Sequence, residues 1–186
     1  HTERKINMTY ASEFNDISNA VKDNEALRLR IINLVDSEPI LEEALEGDGR
    51  IDKFKTIILN FFAGDIGIND AIKDVEFRLP RSYSPHKNNN RVFPQGWAER
   101  LVRTSISCFY NQAVLTEIIE SGQTECFVAH SSSEDFDSKC SEQLADNRHN
   151  ASTLLERLVD SYRKGNWGKD VKVPDNPHCT HTVQPV

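Results

Sequence analysis

The sequence lacks any long hydrophobic run. No stretch approaches the roughly 20 consecutive apolar residues that a transmembrane helix needs, so we expect no membrane partner. It also lacks the P-loop, the GxGxxG fingerprint, the HExxH motif and the GxSxG elbow, which are strong short signatures of nucleotide-binding proteins and hydrolases. The segment His1–Asn7 has no apolar core, which predicts that no signal peptide is present.

Positive charge is in short supply. The 186 residues include 22 Lys plus Arg and 29 Asp plus Glu, which gives a formal net charge of −7. Broad contact with a phosphate backbone needs a surplus of Lys and Arg, so nucleic acid is not expected as the main partner. Because 38% of the residues are hydrophobic, the composition indicates a globular chain and not a disordered one.

Helical periodicity dominates residues 1–79, where we predict a helical bundle. Apolar residues recur there at spacings of three and four, and the segment Pro39–Leu45 predicts a short additional helix. The strongest apolar face comprises Phe54, Ile57, Ile58, Phe61 and Phe62. No chemical motif occurs in this half, which favours a packing or docking role.

A change of composition divides the chain after this bundle. Segment 80–93 is rich in Pro, Ser and Asn and predicts a linker. Residues 94–186 predict a small α+β unit with one long helix, a two- or three-stranded sheet and an ordered C-terminal tail. Strands are expected at Glu125–His130, Val171–Val173 and Thr180–Val183. The fold class is therefore predicted to be mainly α.

All four cysteines lie after residue 107, and three of them lie in the region of the sheet and tail. Cys126 and His130 are four residues apart, Cys179 and His181 are two apart, and Cys140 lies between these pairs. Zinc takes four thiolate or imidazole ligands, often from two close pairs, so these five residues are candidate zinc ligands. The same pattern is compatible with a cysteine nucleophile activated by a histidine, and with buried thiols beside surface histidines.

Two polar residues interrupt the apolar stripe of the long helix. Arg103 and Asn111 are eight residues apart and lie on nearly the same helix face. A buried guanidinium or amide needs a partner, so we expect this pair to hold a neighbouring segment, such as the C-terminal tail, against the helix.

Three short segments carry a recognisable pattern. Residues 103–113 read RTSISCFYNQA, residues 137–140 read DSKC, and residues 176–185 read NPHCTHTVQP. In order and spacing they resemble the Arg-Thr-x-Ile-x-x-x-Tyr-Asn-x-Ala helix, the Asp-x-x-Cys turn and the closing His-Pro-x-Cys-x-Cys-x-x-x-Pro of the phage Mu F-like head morphogenesis (minor capsid) proteins. The resemblance covers Trp97 to Pro185, about half of the chain.

The chain departs from that family at three positions. Asn176 stands where the family has its first closing His, His181 stands for its last Cys, and Gln143 occupies the place of a frequent second Cys. The Cys/His positions that carry over are Cys140, Cys179 and His181. Outside that cluster the resemblance implies structural or binding roles for Arg103, Thr104, Asn111 and Asp137.

The resemblance implies a non-enzymatic phage or prophage assembly protein that docks on portal or capsid proteins. Such a protein is expected in the bacterial cytoplasm or in the virion. Zinc is the candidate cofactor, on the ground of the Cys/His residues above and not of the resemblance. The residues leave two other functions open. One is a zinc- or cysteine-dependent hydrolase or nuclease effector that uses the Cys/His residues, and the other is an acidic binding or immunity protein.

Overall fold

Helices make up most of the computed structural model, which describes residues 9–165, 168 and 170–186. The α-helices are α1 (Ile17–Asp23), α2 (Glu25–Ser37), α3 (Arg50–Phe62), α4 (Ile68–Arg78), α5 (Trp97–Glu120), α6 (Lys139–Leu144) and α7 (Ala151–Arg163). The strands are β1 (Glu125–Val128), β2 (Asn147–Asn150) and β3 (Val183–Pro185). The prediction of a mainly helical fold with a small C-terminal sheet is confirmed.

Helix α5 is the centre of the molecule. Every residue from Ser105 to Leu115 is buried, so this stretch is covered on all sides, as expected for a helix that is largely apolar around its circumference. Helices α2 and α4 pack against it from the N-terminal half, and α7 and β3 pack against it from the C-terminal half. One continuous hydrophobic core therefore includes residues from both halves.

The sheet is antiparallel, with β1 in the centre and β2 and β3 at its edges. Cys126 lies opposite His149 of β2 and Pro185 of β3. Cys126 and Val128 are buried while Glu125 is exposed, which is the alternation of a strand with one face against a core.

The expectation of a strand at Val171–Val173 is wrong, and the third strand is instead the polar segment β2. The carbonyl of Val171 accepts a 3.0 Å hydrogen bond from Arg157 Nη1 of α7, and Pro174 has no N–H to donate to a ladder. Pairing with β1 overrides the low strand propensity of the two asparagines in β2. The predicted strand at Thr180–Val183 begins three residues later, as β3.

The segment 80–93, which we predicted as a linker, packs closely on the N-terminal helices. The buried Arg50 of α3 donates to the carbonyls of Leu79 (3.1 Å) and Pro80 (2.9 Å). Gly47 has a φ of +117°, and a Cβ at this position would lie 3.1 Å from Pro85 Cδ. The predicted helix at Pro39–Leu45 is reduced to a 3₁₀ turn at Glu43–Leu45.

The two ends of the described chain contact each other beside α5. Phe14 N donates to Thr180 O at 2.8 Å, and Thr182 Oγ1 donates to Ala11 O at 2.9 Å. Ala11 N in turn donates to the hydroxyl of the buried Tyr110 at 2.7 Å. The C-terminal tail is thus ordered between α5 and the N-terminal segment.

Candidate functional site

The Cys/His cluster forms where α6 meets the C-terminal tail. The Ser138 hydroxyl accepts a hydrogen bond from Ser141 N, which caps α6 and places Cys140 in its first turn. Cys179 and His181 come from the tail, two residues apart. One ligand atom from each of Cys140, Cys179 and His181 lies within 4.8 Å of the other two. These are three of the five ligands predicted from the sequence.

Polar side chains surround this cluster. Glu134 Oε2 lies 2.8 Å from His181 Nδ1, and Cys179 Sγ lies 3.6 Å from the same nitrogen. The other ring nitrogen of His181, Nε2, lies 3.4 Å from Ser141 Oγ. Asn176 Nδ2 donates to Cys140 Sγ at 3.1 Å. Every thiol and imidazole of the cluster therefore has a defined polar neighbour.

The two thiols differ in acidity. A hydrogen bond from the Cys179 thiol lowers the pKa of Cys140 to about 6, against the opposing effect of burial. The same hydrogen bond, together with burial, raises the pKa of Cys179 well above its ordinary value. Cys140 is therefore the more acidic thiol of the pair.

The cluster is closed to solvent. Cys140 is 3% exposed, Cys179 is 5% exposed and His181 is fully buried. A catalytic metal or nucleophile needs an open position for substrate, whereas a structural site is enclosed by its ligands. The burial is that of a structural site.

Cys126 and His130 are not part of this group among the residues that the structure describes. Cys126 is fully buried in β1, and burial raises the pKa of its thiol to about 11. His130 stacks on Phe136, with ring centroids 3.9 Å apart. Cys126 therefore packs in the core and His130 packs against Phe136, so neither side chain belongs to the Cys140, Cys179 and His181 cluster.

Asn111 joins α5 to the tail. Its side chain is fully buried, its Oδ1 accepts from Val183 N at 2.9 Å, and its Nδ2 donates to Ser107 O at 2.8 Å. Arg103 lies eight residues earlier on the same helix. Its guanidinium carbon is 4.4 Å from the centroid of the Phe14 ring, which is a cation–π contact. Asn111 therefore contacts the tail, and Arg103 contacts the N-terminal segment that covers it.

The other two residues that the resemblance singles out have fewer contacts. The hydroxyl of Thr104 is buried without a hydrogen-bond partner in the described part of the chain. It lines a cleft of about 610 Å³ between α5, α7 and the segment 39–44. Asp137 is exposed in the turn before α6.

The sequence did not single out Glu13 or Glu134 as partners of the tail. Glu134 accepts from Thr180 N at 3.1 Å and from Thr180 Oγ1 at 2.7 Å. Glu13 accepts from the hydroxyls of Ser131 (3.0 Å) and Ser132 (2.7 Å). The three consecutive serines after β1 are the one sequence signal for this network, since such hydroxyls readily donate to a carboxylate.

Comparison with known proteins does not identify a family, because no family profile, curated protein or solved structure matches this chain. Within the described residues, no helix has both the length and the apolarity to cross a membrane.

Proposed function

We propose that this protein is a non-enzymatic structural or assembly protein of the phage or prophage type, which docks on portal or capsid proteins. It would act in the bacterial cytoplasm during head assembly, or remain in the virion. The proposal rests on the resemblance of three segments to the Mu F-like minor head proteins.

The observation that carries the proposal is the contact between these three segments. They are far apart in sequence, yet Asn111 of the first binds Val183 of the third, and Cys140 of the second accepts a hydrogen bond from Asn176 of the third. Positions 140, 176, 179 and 181, which the resemblance assigns to one Cys/His cluster, lie together. Chance matches to three short patterns would not be expected to form one packed unit.

The closed cluster supports the non-enzymatic part of the proposal. The side chains with hydrolase-like chemistry, Cys140, Cys179 and His181, are at most 5% exposed. A substrate could not reach them without displacement of the tail. Their contacts join α6, the tail and the loop after β1, so these side chains stabilise the fold.

Exposed aromatic side chains are available for a protein partner. Phe77 at the end of α4 is 85% exposed, and Tyr83 in the 3₁₀ turn after it is 81% exposed. Aromatic residues are enriched at protein–protein interfaces, because they bury much area at a small cost in conformational entropy.

The test is co-purification of the full chain with the portal and capsid proteins encoded in the same genome. We expect a complex with one of them that survives size-exclusion chromatography. The double variant Phe77→Ser/Tyr83→Ser should weaken this complex, whereas Leu29→Ser, at a site 52% exposed on α2, should not. A genome that encodes no phage structural protein nearby, or the absence of a complex with all of them, would refute the proposal.

A further inference from the structure

We propose that Cys140, Cys179 and His181 bind one zinc ion, with Glu134 as the fourth ligand, and that this ion fastens the C-terminal tail to α6. This inference is separate from the proposed docking function, because the three residues are buried inside this chain.

The first argument is distance. Zinc binds thiolate sulfur at about 2.3 Å and imidazole nitrogen at about 2.0–2.1 Å, so a tetrahedral ion sets the sulfur and the nitrogen about 3.6 Å apart. Cys179 Sγ and His181 Nδ1 are 3.6 Å apart. The ligand atoms of the three residues lie within 4.8 Å of each other, so small side-chain movements bring all three to bonding distance from one ion.

The second argument is the orientation of His181. Its Nδ1 faces both Cys179 and Glu134, while its Nε2 faces Ser141 Oγ at 3.4 Å. A histidine that binds a metal through one nitrogen usually donates its other N–H to a nearby oxygen, which fixes the tautomer. Ser141 is placed to accept that hydrogen bond when Nδ1 binds the ion.

The third argument concerns the fourth ligand. Glu134 Oε2 lies 2.8 Å from His181 Nδ1, which is a hydrogen-bond distance, and its side chain is only 13% exposed. Its oxygens are not among the ligand atoms that all lie within 4.8 Å of one another, so the side chain must turn toward the two sulfur atoms to complete the tetrahedron. A carboxylate oxygen is an accepted zinc ligand, and two thiolates with one carboxylate offset the charge of the ion and the cost of burying it. Thr180, which donates to Glu134 from both its N–H and its hydroxyl, holds the carboxylate beside the cluster.

The proton balance of zinc binding is simple. Zinc binds both cysteines as thiolates, so their thiol protons pass to solvent. The hydrogen between His181 Nδ1 and Glu134 Oε2 must also leave Nδ1, and the neutral ring then carries its one N–H proton on Nε2, facing Ser141 Oγ. The N–H of Asn176 that reaches Cys140 Sγ can stay in place, because a metal-bound thiolate still accepts hydrogen bonds.

The experiment is elemental analysis of the full chain, expressed in zinc-supplemented medium and purified without chelator. We expect about one zinc per chain for the wild type and for Cys126→Ser, a buried free thiol outside the cluster. Cys140→Ser and Cys179→Ser should each retain less than about a tenth as much. Glu134→Gln should weaken zinc binding at least about tenfold in a competition with a chromogenic chelator.

A spectroscopic measurement keeps the proposal open to refutation if the cysteine variants fail to fold. Replacement of zinc by Co²⁺ in the wild-type chain should give the intense visible bands of a tetrahedral site and a near-ultraviolet thiolate-to-cobalt band. A wild type without zinc and without these bands would overturn the proposal. So would a Cys140–Cys179 disulfide in the purified protein, or equal zinc loss in Cys126→Ser. None of these results would bear on partner docking, which is measured separately.

Discussion

Replacement of Asn111 by alanine should loosen the C-terminal tail and destabilise the whole protein. The fully buried Oδ1 of Asn111 is the acceptor for Val183 N, so Asn111→Ala leaves this buried N–H without a partner. An orphaned buried donor costs about 1–3 kcal/mol, and the small void left by the amide adds to that cost. We therefore expect the free energy of unfolding to fall by about 2–4 kcal/mol.

Urea denaturation followed by circular dichroism measures this loss. With a slope of about 2 kcal/mol per molar urea, the midpoint should fall by about 1–2 M. The matched control is Asn33→Ala, which makes the same substitution at an exposed site on α2 and should change stability by no more than about 0.5 kcal/mol. Native-state hydrogen exchange should show that the Val183 amide loses more protection than amides in α3.

Two outcomes would refute this reasoning. One is a loss for Asn111→Ala that is no larger than the loss for Asn33→Ala. The other is a large loss with unchanged relative protection of the Val183 amide, which would mean that Asn111 stabilises α5 and not the attachment of the tail.

Three further predictions follow from other contacts. Arg50→Lys should lower the free energy of unfolding by about 2–4 kcal/mol, because a single ammonium cannot donate to the carbonyls of Ala44, Leu79 and Pro80 together. An unchanged urea midpoint would contradict this. Arg103 and Phe14 should show a coupling of about 0.5–2 kcal/mol in a double-mutant cycle of Arg103→Ala and Phe14→Leu, and additive effects would exclude the contact. For Glu13, burial raises the pKa, but hydrogen bonds from Ser132 and Ser131 outweigh it and leave the pKa below its ordinary value of 4.5. The ionised Glu13 should therefore stabilise the fold above about pH 4.5, and this stabilisation should be lost as the pH falls through the lower pKa of the folded state. Glu13→Gln should flatten the acid side of a plot of stability against pH. An identical plot for the wild type and the variant would contradict a stabilising role for the Glu13 carboxylate.

Periodic segments were predictable from the sequence. The apolar stripe after Pro94 predicted α5, and the cluster of phenylalanines and isoleucines after Asp52 predicted α3, because helical repeats can be read locally. Strand β2 could not be predicted in this way. Its residues have no strand pattern of their own, and they become a strand only because β1 offers an edge for pairing.

The chemistry of the candidate site was predictable from the residue types, but which residues form it was not. Residue type pointed equally to five candidates, and only the resemblance singled out Cys140, Cys179 and His181, the three that the structure brings together. Which of them meet is decided by the path of the tail over α6, and that path depends on irregular segments with no periodicity. Glu134 belongs to an acidic run with Asp135 and Asp137, and the sequence gives no sign that Glu134 alone of the three is turned inward.

The contact between residues 11–14 and residues 180–182 has a consequence for the order of folding. The hydrogen bond from Thr182 Oγ1 to Ala11 O joins residues 171 positions apart, and the one from Ala11 N to the Tyr110 hydroxyl joins residues 99 positions apart. Contacts between residues so far apart in sequence form late in folding, because a long loop must be closed before they contribute any stability. The N-terminal segment can contact Tyr110 and Arg103 of α5 as soon as that helix has formed, but its bonds to residues 180 and 182 need the tail in place. The bonds between residues 11–14 and residues 180–182 should therefore be among the last contacts to form during folding.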